Sequence, residues 1–254
     1  MLISPALAAQ RSHKARSHDD PPPPAVQSWA GCYVGADAGY GFGSQTGDRS
    51  AINVFNPVVM AGIGIPTSYG ESDHGTVGGG QVGCNYQNGT FVYGFETDIQ
   101  GSGLRGSSTV TTIPGGGADS TTGTGQQRLD WFGTLRGRFG FTPFSNILLY
   151  GTAGLAYGGV KDSATLLFSP PADGNYSGAN SQTRVGWTAG AGAEYALTGN
   201  WSVKVEYLFV DLGKTPVQIF DPTRPGQSMT FLFHEQDNIF RAGVNYKFGG
   251  SYVP

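Results

Sequence analysis

Eight segments of this chain alternate apolar and polar residues with a period of two, and short and long joins alternate between them. The segments run over about 31–43, 75–87, 90–101, 127–141, 146–159, 183–197, 200–212 and 235–248. Successive residues of a strand point to opposite faces, so this period reads as strand. No segment carries a helical period. Gln87-Asn88-Gly89, TPFSN (142–146) and LTGN (197–200) are close joins, and Asn-Gly is a strong tight-hairpin signal. The other four connections, 44–74, 102–126, 160–182 and 213–234, each exceed twenty residues. Short joins therefore gather at one end and long joins at the other. All 15 prolines fall outside the segments, as the missing N–H requires of a paired strand.

The two faces differ sharply. One carries Val34, Ala36, Ala38, Tyr40 and Phe42 in the first segment, then Leu129, Trp131, Leu135, Phe139 and Phe141 in the fourth. It continues with Val185, Trp187, Ala189, Ala191, Ala193 and Tyr195 in the sixth, and Phe240, Ala242, Val244, Tyr246 and Phe248 in the eighth. The other face holds Asp37, Gln81, Asn85, Glu96, Asp98, Asp130, Arg136, Arg138, Arg184, Glu194, Lys204, Glu206, Arg241, Asn245 and Lys247.

On the apolar face the aromatics sort into two groups. Tyr40, Phe42, Trp131, Tyr157, Trp187, Phe209 and Phe240 lie towards the long joins. Tyr86, Phe91, Tyr93, Phe139, Tyr195, Trp201, Tyr246 and Phe248 lie towards the short ones. Two aromatic girdles around an aliphatic band describe a lipid-facing surface. A soluble, lipocalin-like lipid binder would show the same alternation with the faces exchanged, but its outer face would be rich in Lys and Glu. Here charged residues are 13% of the chain, about half the usual share.

The expected fold is all-β: an eight-stranded antiparallel up-and-down transmembrane β-barrel with short periplasmic turns and four long external loops. No run of about 18 apolar residues exists, which excludes a transmembrane helix and says nothing against strands. The net charge of −3 offers no basic footprint for nucleic acid. The apolar stretches INVFNPVVMAGIGI (52–65), ATLLF (164–168), VQIF (217–220) and MTFLF (229–233) within the long joins predict hairpins that extend beyond the membrane.

Eight strands leave an interior that side chains just about fill, and buried charges persist only when paired. The expected interior is a network of Glu96, Asp98, Arg136, Arg138 and Arg184, continued by Asp37, Glu194, Lys204, Glu206, Arg241 and Lys247. It would plug the barrel; the same charges solvating an open lumen would make a narrow channel for small solutes. Cys32 and Cys84 share the outward parity near the short-join end of adjacent strands, so a cross-strand disulfide is expected there, with two buried free thiols as the alternative. Gly78, Gly80 and Gly83 spell a nominal G-x-G-x-x-G, but they lie within a strand and open no helix, which excludes the dinucleotide reading. His74 and His234 sit near the long-join rim with no Ser–His–acid spacing, so no catalytic residue, cofactor or structural metal is assigned.

The segments WAGCYVGADAGYGFG (29–43), GGGQVGCNYQ (78–87), FVYGFETDIQ (91–100), WFGTLRGRFGF (131–141), LYGTAGLAYGG (149–159), GWTAGAGAEYAL (186–197), WSVKVEYLFVDLG (201–213) and IFRAGVNYKF (239–248) resemble, in order, the small eight-stranded outer-membrane surface proteins of alphaproteobacteria, the porin-family or opacity-type proteins. That resemblance implies a bacterial outer-membrane location and assembly by the barrel-assembly machinery. The expected protein is a structural and interaction protein: a monomer set in outer-membrane lipid, with its long loops displayed to external ligands. The resemblance also implies an assembly signal in the last strand's terminal aromatic, here Phe248 with Tyr246 before it. This chain departs by adding GGSYVP after Phe248.

The termini read differently from the barrel segment, 29–248. MLISPALAAQ looks like the tail of a secretory signal, assigned to 1–9, with a true start expected upstream because the basic region is missing. Residues 10–28, with four consecutive prolines, read as a flexible periplasmic linker. His13 and His18 within it are read as solvated.

Overall fold

A computed structural model describes residues 27–53, 65, 68–113, 120–169 and 174–248. The signal tail, most of the linker and the 249–254 extension lie outside the described residues, as does most of 52–65. The strands are β1 (Gly31–Asn53), β2 (Ser68–Asn88), β3 (Phe91–Thr112), β4 (Ser120–Phe144), β5 (Ile147–Ser169), β6 (Asn175–Ala196), β7 (Trp201–Phe220) and β8 (Ser228–Phe248). Each is antiparallel to the next, and β1 also pairs with β8, which closes the barrel.

The turns at the lower end are tight. Gly89 takes a φ of 60° in the β2–β3 hairpin, which is why Asn-Gly suits it. Cys32 and Cys84 stand opposite each other in the β1–β2 register and form a disulfide, clasping a 52-residue separation.

The strands are far longer than the alternating segments. Each holds 20–25 residues, whereas crossing a membrane takes about 9–11. The four long loops are therefore corrected: three of those joins are mostly ladder, and the upper connections shrink to 113–119, 170–174 and 221–227, with 54–67 the longest. The binary pattern inverts along the strands. In lower β5 the outward residues are Leu149, Ala153, Leu155 and Tyr157. Higher up they are Lys161, Ser163 and Thr165, while Ala164, Leu166 and Phe168 turn inward and are buried. The height of that inversion marks where lipid gives way to water. Above it the barrel packs like a soluble one, with Tyr176, Val217, Ile219, Met229, Phe231 and Phe233 joining Leu166 and Phe168 in an inner apolar core.

The register shifts at several places, among them Arg49–Ala51, Gly101–Leu104 and Phe141–Phe144, and two further shifts bear on the inner face. The β4–β5 register slips between Leu129 and Trp131. Leu129, expected on the lipid face, is consequently buried inside, and Asp130, expected inside, lies at the surface with Arg128 and Lys161. The β7–β8 register slips between Asp211 and Gly213, where Gly213 takes a φ of 74°. An extra residue on one strand produces such a flip. Pro143, next to the last residue of β4, and Pro216, within β7, both lie in strands, against the expectation that no strand contains proline. Pro216 sits where the ladder to β6 is interrupted, and the Gln182 and Asn180 side chains bridge the gap to Thr215 and Pro216.

Candidate functional site: a layered barrel interior

The inward positions of the lower half converge on one charged cluster. Arg136 of β4 ion-pairs with Glu96, with Asp98 at 2.9 Å and with Glu206 at 3.0 Å, and its Nε donates to Thr134. Arg241 of β8 reaches Glu206 at 2.6 Å, Asp98 at 2.9 Å and Asp37 at 3.4 Å. Lys204 of β7 lies 3.3 Å from Glu96. Arg138 donates to Glu194 at 2.7 Å and to the Tyr33 hydroxyl at 2.6 Å, and packs 3.8 Å over the Tyr150 ring. The side chains of Glu96, Asp98, Arg136, Lys204, Glu206 and Arg241 are fully shielded from solvent.

Nine of the eleven expected residues meet in this cluster. Arg184 does not; it pairs higher up with Asp162. Nor does Lys247, which donates to the Ser28 carbonyl at the lower rim. Tyr33 and Tyr150 were missed. Their rings lie where a side chain on Gly83 and Gly192 would have to be, so the inward glycines opposite an aromatic were the available signal.

Apolar layers bracket the cluster. Below it Trp29, Val92, Leu148 and Tyr150 pack together. Trp29 spans the floor, its backbone N–H donating to Gln87 and its indole to the Ser145 carbonyl. Above it, Val77, Leu104, Leu129, Phe132, Val160, Leu208, Val210 and Ile239 form an aliphatic layer.

A second polar group lies above that layer. The carboxyl groups of Asp73, Glu235 and Asp237 come within 4.8 Å of one another, all buried. Arg184 and Asp162 face them from β6 and β5. Sequence reading placed Asp73 in a loop and Glu235 at a strand end. Burial and the neighbouring Asp73 carboxyl push Glu235 up to about 8, and burial pushes Asp162 up to about 6 although Arg184 sits beside it. Both groups thus bind protons more tightly folded than unfolded. Their stabilising contribution is full below about pH 4, the unfolded range. It is lost as pH rises through about 6 for Asp162 and about 8 for Glu235. The thermal midpoint in detergent should therefore fall between pH 5 and pH 9, and Glu235→Gln should flatten the upper part of that fall. A midpoint that rises over this range would contradict the assignment.

The outer face carries the girdles. Phe91 stacks on Phe139, which also meets Tyr93 at 5.3 Å, and Trp201 meets Tyr246 at 5.0 Å; Tyr86, Tyr195 and Phe248 stand exposed in the same lower set. In the upper set Phe42 stacks on Phe240, Trp131 meets Tyr157 edge-on, Trp187 meets Phe209, and Tyr40 lies against His74. Leu135, Leu155 and Val205 stand exposed between the two sets. This apolar belt over a polar interior has the makeup of a transmembrane barrel.

Known proteins agree. The family described as outer membrane protein beta-barrel domain matches residues 21–248. A 31 kDa outer-membrane immunogenic protein of Brucella melitensis biotype 1 is 36% identical over 250 residues, covering 98% of this chain and 95% of that one. A 22 kDa outer membrane protein of Rhizobium leguminosarum bv. viciae is 30% identical, covering 87% and 79%. The crystal structure of the outer membrane protein OprG from Pseudomonas aeruginosa superposes with a TM-score of 0.53 at 15% identity, over 89% of this chain and 99% of that one. Belt, closed ladder and relatives converge: the chain belongs to the outer membrane protein beta-barrel family and resides in the bacterial outer membrane.

Proposed function

We propose that this barrel is a monomeric structural and surface-interaction protein that anchors in the outer membrane, holds its interior shut and presents its upper half outside the cell. The observation that carries this reading is the sequence of layers across the interior. The paired charges form one barrier, and the aliphatic layer around Phe132 and Leu208 forms a second in series. A dry apolar layer opposes the passage of hydrated solutes, because stripping water from an ion is costly. The upper half, about ten residues of each strand, is rigid ladder with a polar outer face, which suits contact with external partners. Relatives named as outer-membrane immunogenic proteins fit a surface that other molecules meet; none of those names denotes an enzyme. Phe248 and Tyr246, outward on the last strand, are the residues offered to the assembly machinery.

Planar-bilayer recording tests the closed interior. Refolded protein should give no stepwise current. Because two barriers lie in series, trimming the network alone with Glu96→Ala should leave the barrel shut. Regular open-channel steps from the unaltered protein would overturn the closed reading in favour of a narrow porin-like pore.

A further inference from the structure

A row of positive charge crosses the outer wall just above the upper aromatic girdle. His74, Arg105, Arg128 and Lys161 stand directly opposite one another in register, on β2, β3, β4 and β5: His74 pairs with Arg105, Arg105 with Arg128, and Arg128 with Lys161. All four are exposed. Like charges directly opposite on neighbouring strands repel and destabilise the pair, so three successive basic pairings need an explanation. Asp130 offers part of one, pairing with Arg128 and, at 2.8 Å, with Lys161. That leaves two permanent positive charges in excess before His74 is counted. Among the described residues Arg105 has no acidic partner.

Two further observations point outwards to a ligand. The four basic residues line a single recess of about 850 Å³, with the hydroxyls of Ser107 and Ser181 beside them. The row also stands at a telling height. Arg128 lies three residues before Trp131, and Lys161 lies four residues after Tyr157, the edge-to-face pair of the girdle. At about 3.3 Å per residue that is roughly 10–13 Å along the tilted strand. With a strand tilt of about 40° this is roughly 8–10 Å along the membrane normal, at the outer edge of a polar headgroup region about 5–7 Å deep on each side of the hydrocarbon.

We infer that this recess is a headgroup site for a phosphorylated glycolipid of the outer leaflet, its phosphates held by Arg105, Arg128 and Lys161 while its acyl chains lie along the aromatic and aliphatic belt below. Guanidinium groups suit phosphate because their fork donates two parallel hydrogen bonds. Ser107 and Ser181 add neutral donors at the edge of the recess. The basic row forms the lower edge of the recess, and at that edge His74 lies against Tyr40 of the upper girdle. This position next to the girdle selects a lipid over a free anion, because one molecule then satisfies both the charge above and the apolar surface below.

Lipid titration of the full-length refolded protein in a neutral detergent tests the site. The probes are a bis-phosphorylated glucosamine disaccharide lipid and its phosphate-free counterpart with the same chains. Each cation near such a surface is worth about fivefold in binding. The phosphorylated lipid should therefore bind roughly 100-fold tighter, and the preference should shrink as salt rises. Arg105→Gln, Arg128→Gln and Lys161→Gln together should abolish the preference while leaving the unheated gel mobility and the weak binding of the phosphate-free lipid unchanged. Equal binding of the two lipids by the unaltered protein would overturn the inference, whatever the variant does. Displacement of the phosphorylated lipid by millimolar inorganic phosphate would overturn the choice of a lipid ligand and make the recess a free-anion site.

Discussion

Replacing Arg136 by methionine should cost the folded barrel about 3–5 kcal/mol, because it strips one partner from a buried ionic cluster and leaves the others uncompensated. Arg136 contacts three carboxylates, those of Glu96, Asp98 and Glu206. Arg241 and Lys204 would remain near them, but each is already committed, Arg241 to Glu206, Asp98 and Asp37, and Lys204 to Glu96. Methionine approximates the length of the side chain, so loss of packing contributes little and loss of charge pairing dominates. The double variant Arg136→Met, Glu206→Gln should recover part of the loss, since it removes a carboxylate along with its cation. Urea unfolding in lipid vesicles, followed by tryptophan fluorescence, measures both. A loss below about 1 kcal/mol, the scale of solvated ion pairs, would show that water in the lumen carries these charges instead of their partners.

The lower half of the barrel was legible because lipid imposes a strict rule on it. Every outward residue there must be apolar, so inward Glu96 and Asp98 contrast sharply with outward Phe95 and Ile99, and the period of two stands out. The upper half obeys a weaker rule. Water accepts Ser, Thr, Gly and Gln on the outer face, and stretches such as SSTVTT at 107–112 and STTGTGQQ at 120–127 show little contrast between faces. Upper strand ends were accordingly placed about seven to eleven residues short. The parity flips at 129–131 and 211–213 had no sequence signal beyond a glycine at 213, because a bulge is a matter of one uncounted residue. That single residue misplaced Leu129 and Asp130. Arg184 was assigned to the correct face but the wrong height: its partner Asp162 lay in a stretch read as loop. The basic row was hidden for the same reason, since His74, Arg105 and Lys161 fell outside the alternating segments and Arg128 at the edge of one.

Leu135 and Leu167 give the sharpest test of where the membrane ends. Both point outward, and their exposures are nearly equal, 51% and 50%. No packing argument separates them. Leu135 lies on β4 midway between Trp131 and Phe139, one residue from each girdle. Leu167 lies on upper β5, paired with Thr122 and flanked by the inward Leu166 and Phe168. Leu135→Arg should cost about 2–4 kcal/mol, the penalty for a guanidinium near the bilayer midplane. Leu167→Arg should change stability by less than about 0.5 kcal/mol, as expected of a water-facing surface position. Reversible unfolding from vesicles of one thickness measures both on the same scale. Equal large penalties would place lipid along the full height of the strands and remove the water-exposed upper barrel. Equal small penalties would remove the lipid belt itself. Only the asymmetric result is compatible with a binary pattern that inverts part-way up the wall, because the same substitution on the same face then meets hydrocarbon at one height and water at the other.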